Sequence, residues 1–394
     1  MKYFFILGNH PNISIAEIYS IFADDFEYDW VRRSVLLIET NKEINVKKII
    51  AHLGGTIKIG EILDETKSRD RNHLLKLIAQ IKQPKEERKF KFGFSYYGKK
   101  DIAQKALAME YKKYLKEKNI SCRWVNSKNS VLSSVVVEQN KLYKNGLEMV
   151  LIEDENKLLL GKTLAVQPFK DLSFHDYGRP ARDNHSGMLP PKLAQIMVNL
   201  SSIKPANNIK ILDPFCGSGT ILMEAMLMGY PNLIGSDISQ KAVEDTQKNL
   251  NWMGRKLRNS NYELKIKNCD AKQLSTFIPL NSVDAIITEP YLGPQRGKVD
   301  LNKVIPELEK LYSAVIKEFY QILKPSGLLV MIWPLIISGN RKRQVIPKYN
   351  NFKIIKVLEN IKLQNKKFLE ANNELIYGRK GQKVWRNLVV LEKI

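Results

Sequence analysis

Alternating apolar and polar positions predict strands at residues 2–8 (KYFFILG), 30–40 (WVRRSVLLIET) and 56–63 (TIKIGEIL). Helical spacing appears at 45–53 (NVKKIIAHL), and Ser14-Ile15-Ala16-Glu17 fits a capping box opening a helix. This alternation predicts a small α+β unit over 1–65. A second unit follows over 66–167. It has helical patterns at 73–81 and 101–118, the latter opened by Asp101, and strand patterns at 89–98, 121–126, 133–139 (SSVVVEQ), 146–153 and 157–167.

The periodicity breaks at 168–190, where Pro, Gly, Asp, Ser and His dominate, so this stretch reads as a linker or ordered connecting loop. Over 191–394 it resumes with stronger apolar strands, NIKILDP, PNLIGSD, YELKIKN, SVDAIIT and SGLLVMIWPL, separated by helical segments. That order predicts an α/β sandwich with a mainly parallel sheet.

Such a sheet binds ligands at the carboxyl ends of its strands, so the residues there carry the candidate chemistry. ILDPFCGSGT ends a strand at Asp213 and places Gly217 and Gly219 before a helix. The spacing is neither GxGxxG nor GxxxxGK[ST], which argues against a dinucleotide or phosphate cradle. The next strand ends at Asp237, placed to accept both hydroxyls of a ribose. A further one leads to Asn268-Cys269-Asp270, where an acid can hold an adenine amine and Cys269 can pack beside the ring. Together these describe a pocket for an adenosine-containing cofactor without a phosphate cradle, a description that S-adenosylmethionine (SAM) fits. The fourth strand runs into DAIITEPYLGP, residues 284–294, where an acid, a proline and an aromatic ring precede a glycine turn.

Charge narrows the partner. The 394 residues carry a formal net charge of +22, with a pI near 9.6, which favours a polyanion such as nucleic acid. Basic Lys89, Lys91, Lys99, Lys100, Lys112, Lys113, Arg123 and Lys128 interleave with Phe94, Tyr96, Tyr97 and Trp124, a mixture that suits structured RNA. The cysteines, Cys122, Cys216 and Cys269, form no CxxC pair, so neither a zinc site nor a disulfide framework is expected, and a reducing compartment is the default. No metal is expected: His175 and His185 lack partners at metal spacing and read as surface or RNA contacts. No stretch approaches a membrane span, and the N-terminus reads as a strand rather than a signal peptide.

DPFCGSGTILMEA, GSDIS, NCDA and TEPY, in that order, resemble the amino-methyltransferases that modify exocyclic nitrogens of nucleobases. DYGRPARDNHSGMLPPKLAQIMVNL resembles the segment preceding the catalytic domain of THUMP-domain tRNA guanosine-N2 methyltransferases. The resemblance implies a Rossmann-like SAM-dependent domain preceded by a ferredoxin-like unit (1–65) and a THUMP-like RNA-binding domain (66–167). It implies cofactor contacts from Asp213, Phe215, Gly217, Gly219, Asp237, Ile238, Asp270 and Ala271; Arg179, Arg182 and Lys192, basic and close to the expected substrate entrance, read as phosphate contacts or as a solvated loop.

The family's usual loop is an Asp or Asn, two prolines and an aromatic; this chain has one proline. Counting from Asp284 puts Glu289 at the polar position, whereas counting back from Tyr291 puts Thr288 there. Glu289 is favoured because a carboxylate suits the chemistry, with the backbone carbonyl of Thr288 or Glu289 as a second acceptor, Pro290 stiffening the loop and Tyr291 stacking on a base that has left its helix. The implied reaction is SAM-dependent methyl transfer to the N2 amine of a guanosine in tRNA, at guanosine-10. The rivals are a ribosomal RNA guanosine-N2 enzyme, a DNA amino-methyltransferase and an inactive RNA-binding homologue. Some relatives need a small activator subunit, and a cytoplasmic location is expected.

Overall fold

The computed structural model describes all residues except 24–25, 82–88, 100–101, 183–187, 258–261, 295–296, 298, 340, 366–367 and 369–373. Asp101, Lys100, His185, Ser186 and Gly187 therefore lie outside the described residues. The chain forms two compact units. The first comprises Met1–Pro11, Phe22–Phe169 and Ile361–Leu369; the second comprises Asn12–Ile21, Lys170–Asn360 and Glu370–Ile394.

In chain order the first 169 residues form β1 (Lys2–Leu7), α1 (Pro11–Phe22), β2 (Glu27–Arg32), β3 (Val35–Glu39), α2 (Val46–His52), β4 (Thr56–Thr66), α3 (Arg71–Ala79), β5 (Phe90–Tyr97), α4 (Gln104–Glu117), β6 (Cys122–Val125), α5 (Ser134–Gln139), β7 (Gly146–Asp154) and β8 (Lys157–Val166). The strands make one eight-stranded sheet in the order β2-β3-β1-β4-β8-β7-β5-β6. The segments 1–65 and 66–167 thus share a sheet, joined where β4 pairs antiparallel with β8. Across that seam Lys58 and Glu148, 1% and 0% exposed, form a buried ion pair. The Thr163 and Ser95 hydroxyls also donate to Glu148, and Lys58 Nζ donates to the Leu132 carbonyl, so the carboxylate is not left as an unpaired buried charge.

Local chemistry explains where the elements depart from the periodicity. WVRRSVLLIET is a hairpin, β2 and β3, because Arg33-Ser34 turns the chain. SSVVVEQ is not a strand. Ser133 caps α5 by accepting the Val136 N–H, and this cap overrides the β-branched run. Helix α1 begins at Pro11, so Ser14 and Glu17 are buried inside it and form no capping box. Of the aromatics expected to interleave with the basic residues, Phe94 and Tyr96 belong to the core beneath α3 and α4, and Tyr97 and Trp124 pack against core clusters. Lys89, Lys99, Lys113, Arg123 and Lys128 are exposed.

The rest of the chain forms α6 (Phe169–Tyr177), α7 (Pro191–Leu200), β9 (Lys210–Asp213), α8 (Thr220–Leu227), β10 (Asn232–Asp237), α9 (Gln240–Leu257), β11 (Glu263–Asn268), β12 (Val283–Thr288), α10 (Leu301–Ile322), β13 (Leu323–Ser338), β14 (Arg341–Gln344), β15 (Phe352–Ile354), α11 (Val357–Asn360), β16 (Ile376–Tyr377) and β17 (Val384–Lys393). Helix α6 falls inside the stretch read as a linker. The sheet runs β11-β10-β9-β12-β13-β17-β15. Its first five strands are parallel neighbours, and β17 returns antiparallel beside β13. After β9 the chain steps outward to β10 and β11, then crosses to the other side of β9 for β12. The switch point therefore lies between β9 and β12, whose carboxyl ends hold Asp213 and Thr288. This is where a sheet of this kind opens a crevice.

Candidate active site

A cavity of about 820 Å³ opens at that switch point. Its lining includes Asp213, Phe215 and Gly217 after β9, Asp237 and Ile238 after β10, Asp270 and Ala271 after β11, and Glu289, Pro290 and Tyr291 after β12. Four consecutive strand ends, scattered over nearly eighty residues of sequence, thus contribute to one volume.

The glycine loop is shaped for a ligand. Gly217 has φ +52°, and a Cβ placed there would meet no atom within 4 Å, so a side chain would occupy open space in the cavity wall. Gly219 has φ +81°, and a Cβ there would lie 3.1 Å from Thr246, so close packing also demands glycine. Asp237 Oδ2 accepts the Gly217 N–H at 3.0 Å and Oδ1 accepts the Ser239 N–H at 2.9 Å. Each oxygen keeps a lone pair for a hydroxyl. Asp270 accepts the Lys272 N–H at 3.0 Å and pairs with its ammonium at 3.1 Å. Cys216 is buried, and its thiol is pushed up by burial, which makes it inert packing. The Cys269 sulfur lies against the Asp270 and Gln273 carbonyls.

Asp213 is 2% exposed and accepts the Thr288 hydroxyl at 2.8 Å and the Phe215 N–H at 3.2 Å. Burial, resisted by these two hydrogen bonds, raises its carboxyl to about 7. The Thr288 side chain is fully buried and engaged with Asp213, so the two ways of counting the loop are structurally unequal: Glu289 lines the cavity with its carboxylate held by Arg386, and the Thr288 hydroxyl faces Asp213. Tyr291 is 61% exposed at the rim, with its carbonyl held by the Tyr312 hydroxyl at 2.7 Å. Gly293, at φ +89°, turns the chain away.

Arg386 reaches Glu289 from β17. Its Nε lies 2.5 Å from Oε1 and its Nη2 3.5 Å from Oε2. Burial raises the Glu289 carboxyl, and Arg386 opposes that shift. In the sequence Arg386 is one of 63 lysines and arginines. Nothing local marks it, because its partner, Glu289, is a loop residue 97 positions away in sequence.

Arg179, expected to touch phosphate, is instead buried: Nη1 donates to the Thr220 hydroxyl at 2.7 Å and Nε to the Asp176 carbonyl at 3.3 Å. It fastens the end of α6 to the start of α8. His175 is likewise no surface residue; its Nδ1 lies 3.2 Å from buried Glu224, which also accepts from Gln195 at 3.0 Å. Arg182 and Lys192 are exposed, the former 4.8 Å above the Tyr177 ring, and neither lines the cavity. Met188 and Leu189, just before α7, do line it. Among the described residues no cluster of His, Cys, Asp and Glu fit for a metal occurs, and no helix is long and apolar enough to cross a membrane.

A parallel sheet with this switch point, a glycine loop and a proline-aromatic loop defines a Rossmann-like methyltransferase domain. The family model described as an RMKL-like methyltransferase domain matches residues 179–338, which include every cavity strand end. A model described as DNA methylase matches 27–248 and stops before the Glu289 loop. The tRNA (guanine(10)-N2)-dimethyltransferase of Methanothermobacter thermautotrophicus is 35% identical over 150 residues, 38% of this chain and 40% of the relative. That of Methanocaldococcus jannaschii is 31% identical over 185 residues, 46% of this chain and 47% of the relative. The matches thus span less than half the length of either relative. TrmN from Thermus thermophilus shares the fold, with TM-score 0.54 and 16% identity over 100% of both chains. Over residues 179–338 the chain is thus similar to RMKL-like methyltransferase domains, and over part of its length it is similar to named tRNA guanine-N2 methyltransferases.

Proposed function

We propose that this protein transfers a methyl group from SAM to the exocyclic N2 of a guanosine in tRNA. The observation that carries the proposal is the shared cavity, which sets the adenosine-type crevice and the Glu289 loop against one another. The names of the relatives point to guanosine-10 as the target.

The residues present fit SAM. The open space over Gly217 admits a ligand against the backbone, and Asp237 has acceptor capacity for a ribose. Asp270 would take the adenine amine, Phe215, Ile238 and Ala271 would flank the adenosine, and Asp213 with Gly217 would face its methionine end, while Gly219 packs behind the cavity wall against Thr246. When bound, SAM supplies a methyl group on a positively charged sulfur.

The protein's task is to make the guanine amine nucleophilic, because its lone pair is delocalised into the ring. Glu289 Oε and the Thr288 or Glu289 carbonyl accept the amine hydrogens, which pulls nitrogen toward a tetrahedral shape, and Glu289 then holds the proton that leaves. Pro290 limits the loop's freedom and Tyr291 stacks on the extruded base. Fixed acceptors and enforced orientation account for the rate gain.

Around this core we assign residues 1–65 to a ferredoxin-like unit, 66–167 to a THUMP-like domain that grips the tRNA acceptor end, 168–190 to the connection and 191–394 to the catalytic domain. Exposed Arg182 and Lys192 remain candidate phosphate contacts. A cytoplasmic location and a small activator subunit complete the reading.

The test is methylation of an unmodified tRNA transcript with isotope-labelled SAM, followed by nucleoside mass spectrometry. N2-methylguanosine is expected. Label on adenosine or cytosine, or incorporation into DNA alone, would favour the DNA-type reading raised by the second family match.

A further inference from the structure

Two groups compete for the state of Glu289. The protein packed around it disfavours the charged form, and the guanidinium of Arg386 favours it. Both side chains are largely enclosed, at 14% for Glu289 and 12% for Arg386. The backbone of Arg386 is fixed on both sides: it lies opposite Pro334 on β13 and Tyr377 on β16. A guanidinium presented from a central strand is a rigid fork, with little freedom to follow a wandering carboxylate. Among the described residues, the other titratable groups facing Glu289 are Asp213 on β9 and Tyr312 on α10, and neither is a cation.

The ionisation state matters to the proposed chemistry. An ionised carboxylate only accepts hydrogen bonds, whereas a protonated one also donates and offers fewer acceptor sites to an amine. Binding a base would strip further water from Glu289 and push it toward protonation. Arg386 occupies part of each carboxylate oxygen, yet the four lone-pair sites leave room for amine hydrogens.

We propose that Arg386 is a positioning residue, which holds the Glu289 carboxylate ionised and turned into the cavity so that it accepts the target amine. The inference rests on the methyl-transfer reading above and adds a residue that does not itself touch substrate. It also rationalises the loop's departure from the family's usual residues: a glutamate has one more rotatable bond than an aspartate, and Arg386 removes that freedom.

The test uses the full chain with Arg386→Lys and Arg386→Gln, each alone and with Glu289→Gln. With Arg386→Gln, kcat on a tRNA transcript is expected to fall about ten- to a hundredfold, while SAM affinity and KM for tRNA change less than about twofold and the acid limb of the kcat profile moves to higher pH. Arg386→Lys should recover part of the loss, and in the Glu289→Gln background Arg386→Gln should cost almost nothing more, because its effect passes through the carboxylate. A readout independent of turnover is carbon-13 NMR of labelled glutamate carboxyls, with the Glu289 signal identified by its loss in Glu289→Gln. It should titrate at higher pH in Arg386→Gln than in wild type. Identical titration in both would overturn the inference, as would equal losses from Arg386→Gln with and without Glu289. A shifted titration in an enzyme whose product is not N2-methylguanosine would sink the functional reading and leave this one standing. Thermal melting of Arg386→Lys separates either result from a folding defect.

Discussion

Asp213 carries its history in its pKa. An ordinary aspartate titrates near 4, and burial moves this one to about 7. For an acid whose folded value lies above its unfolded value, the unfolded chain ionises first. Stability therefore falls as pH rises between these two values. We expect the apparent melting temperature of wild type to drop relative to Asp213→Asn as pH goes from 5 to 8; a constant difference would contradict the buried carboxylate. Glu289→Ala should lower kcat about a hundred- to a thousandfold with tRNA affinity nearly intact, as measured by single-turnover kinetics and filter binding. Unchanged turnover would remove Glu289 from the mechanism. Arg179→Ala should cost on the order of 2 kcal/mol in chemical denaturation, through its lost bonds to Thr220 and Asp176, and leave tRNA affinity unmoved. At this scale the sequence reveals residues whose role is local. Asp213, Asp237 and Glu289 each end an apolar run, and that position alone announces their place in the cavity lining. Arg179 and Arg386 are legible only in three dimensions, since the partners that define them come from other elements.

Elements were read best where periodicity and capping agree. Helix α2, with Asn45 accepting the Lys48 N–H, and the five parallel strands fall where the pattern puts them. The pattern misleads where a short-range side-chain bond outweighs propensity, as at Ser133 before α5, or where a tight turn splits one apolar run, as at Arg33-Ser34. Helix α6 is hidden among loop-type residues, and Arg179 and His175 each have a partner far along the chain in α8. The glycine loop makes its own prediction. Gly217→Ala has room for the methyl group, so the cost to folding is only about 1–2 kcal/mol of left-handed backbone strain; its larger effect should be weaker SAM binding, read by calorimetry. Wild-type affinity in that variant would mean the ligand does not approach Gly217.

Over the whole molecule, charge and chain path set the terms. With a net charge of +22, the proposed tRNA binding should be dominated by phosphate neutralisation, so log K should fall steeply and linearly with log salt. A flat response would remove electrostatics from the account. The two units exchange segments. Asn12–Ile21 of α1 clusters with the second unit, where buried Glu17 accepts the Asn199 amide at 2.8 Å. Sequence patterning divides a chain into consecutive stretches and cannot show such an exchange. Nor could it show that 1–65 and 66–167 contribute to a single sheet, because β4 meets β8 only after some ninety residues of intervening chain.

The central claim is that this cavity methylates the N2 of a tRNA guanosine. It is tested most directly by incubating an unmodified tRNA transcript with the protein and labelled SAM, then sequencing the modified nucleoside by mass spectrometry. The account predicts N2-methylguanosine at position 10 with wild type and none with Glu289→Ala; a methyl group on another atom or base, or equal product from both proteins, would contradict it.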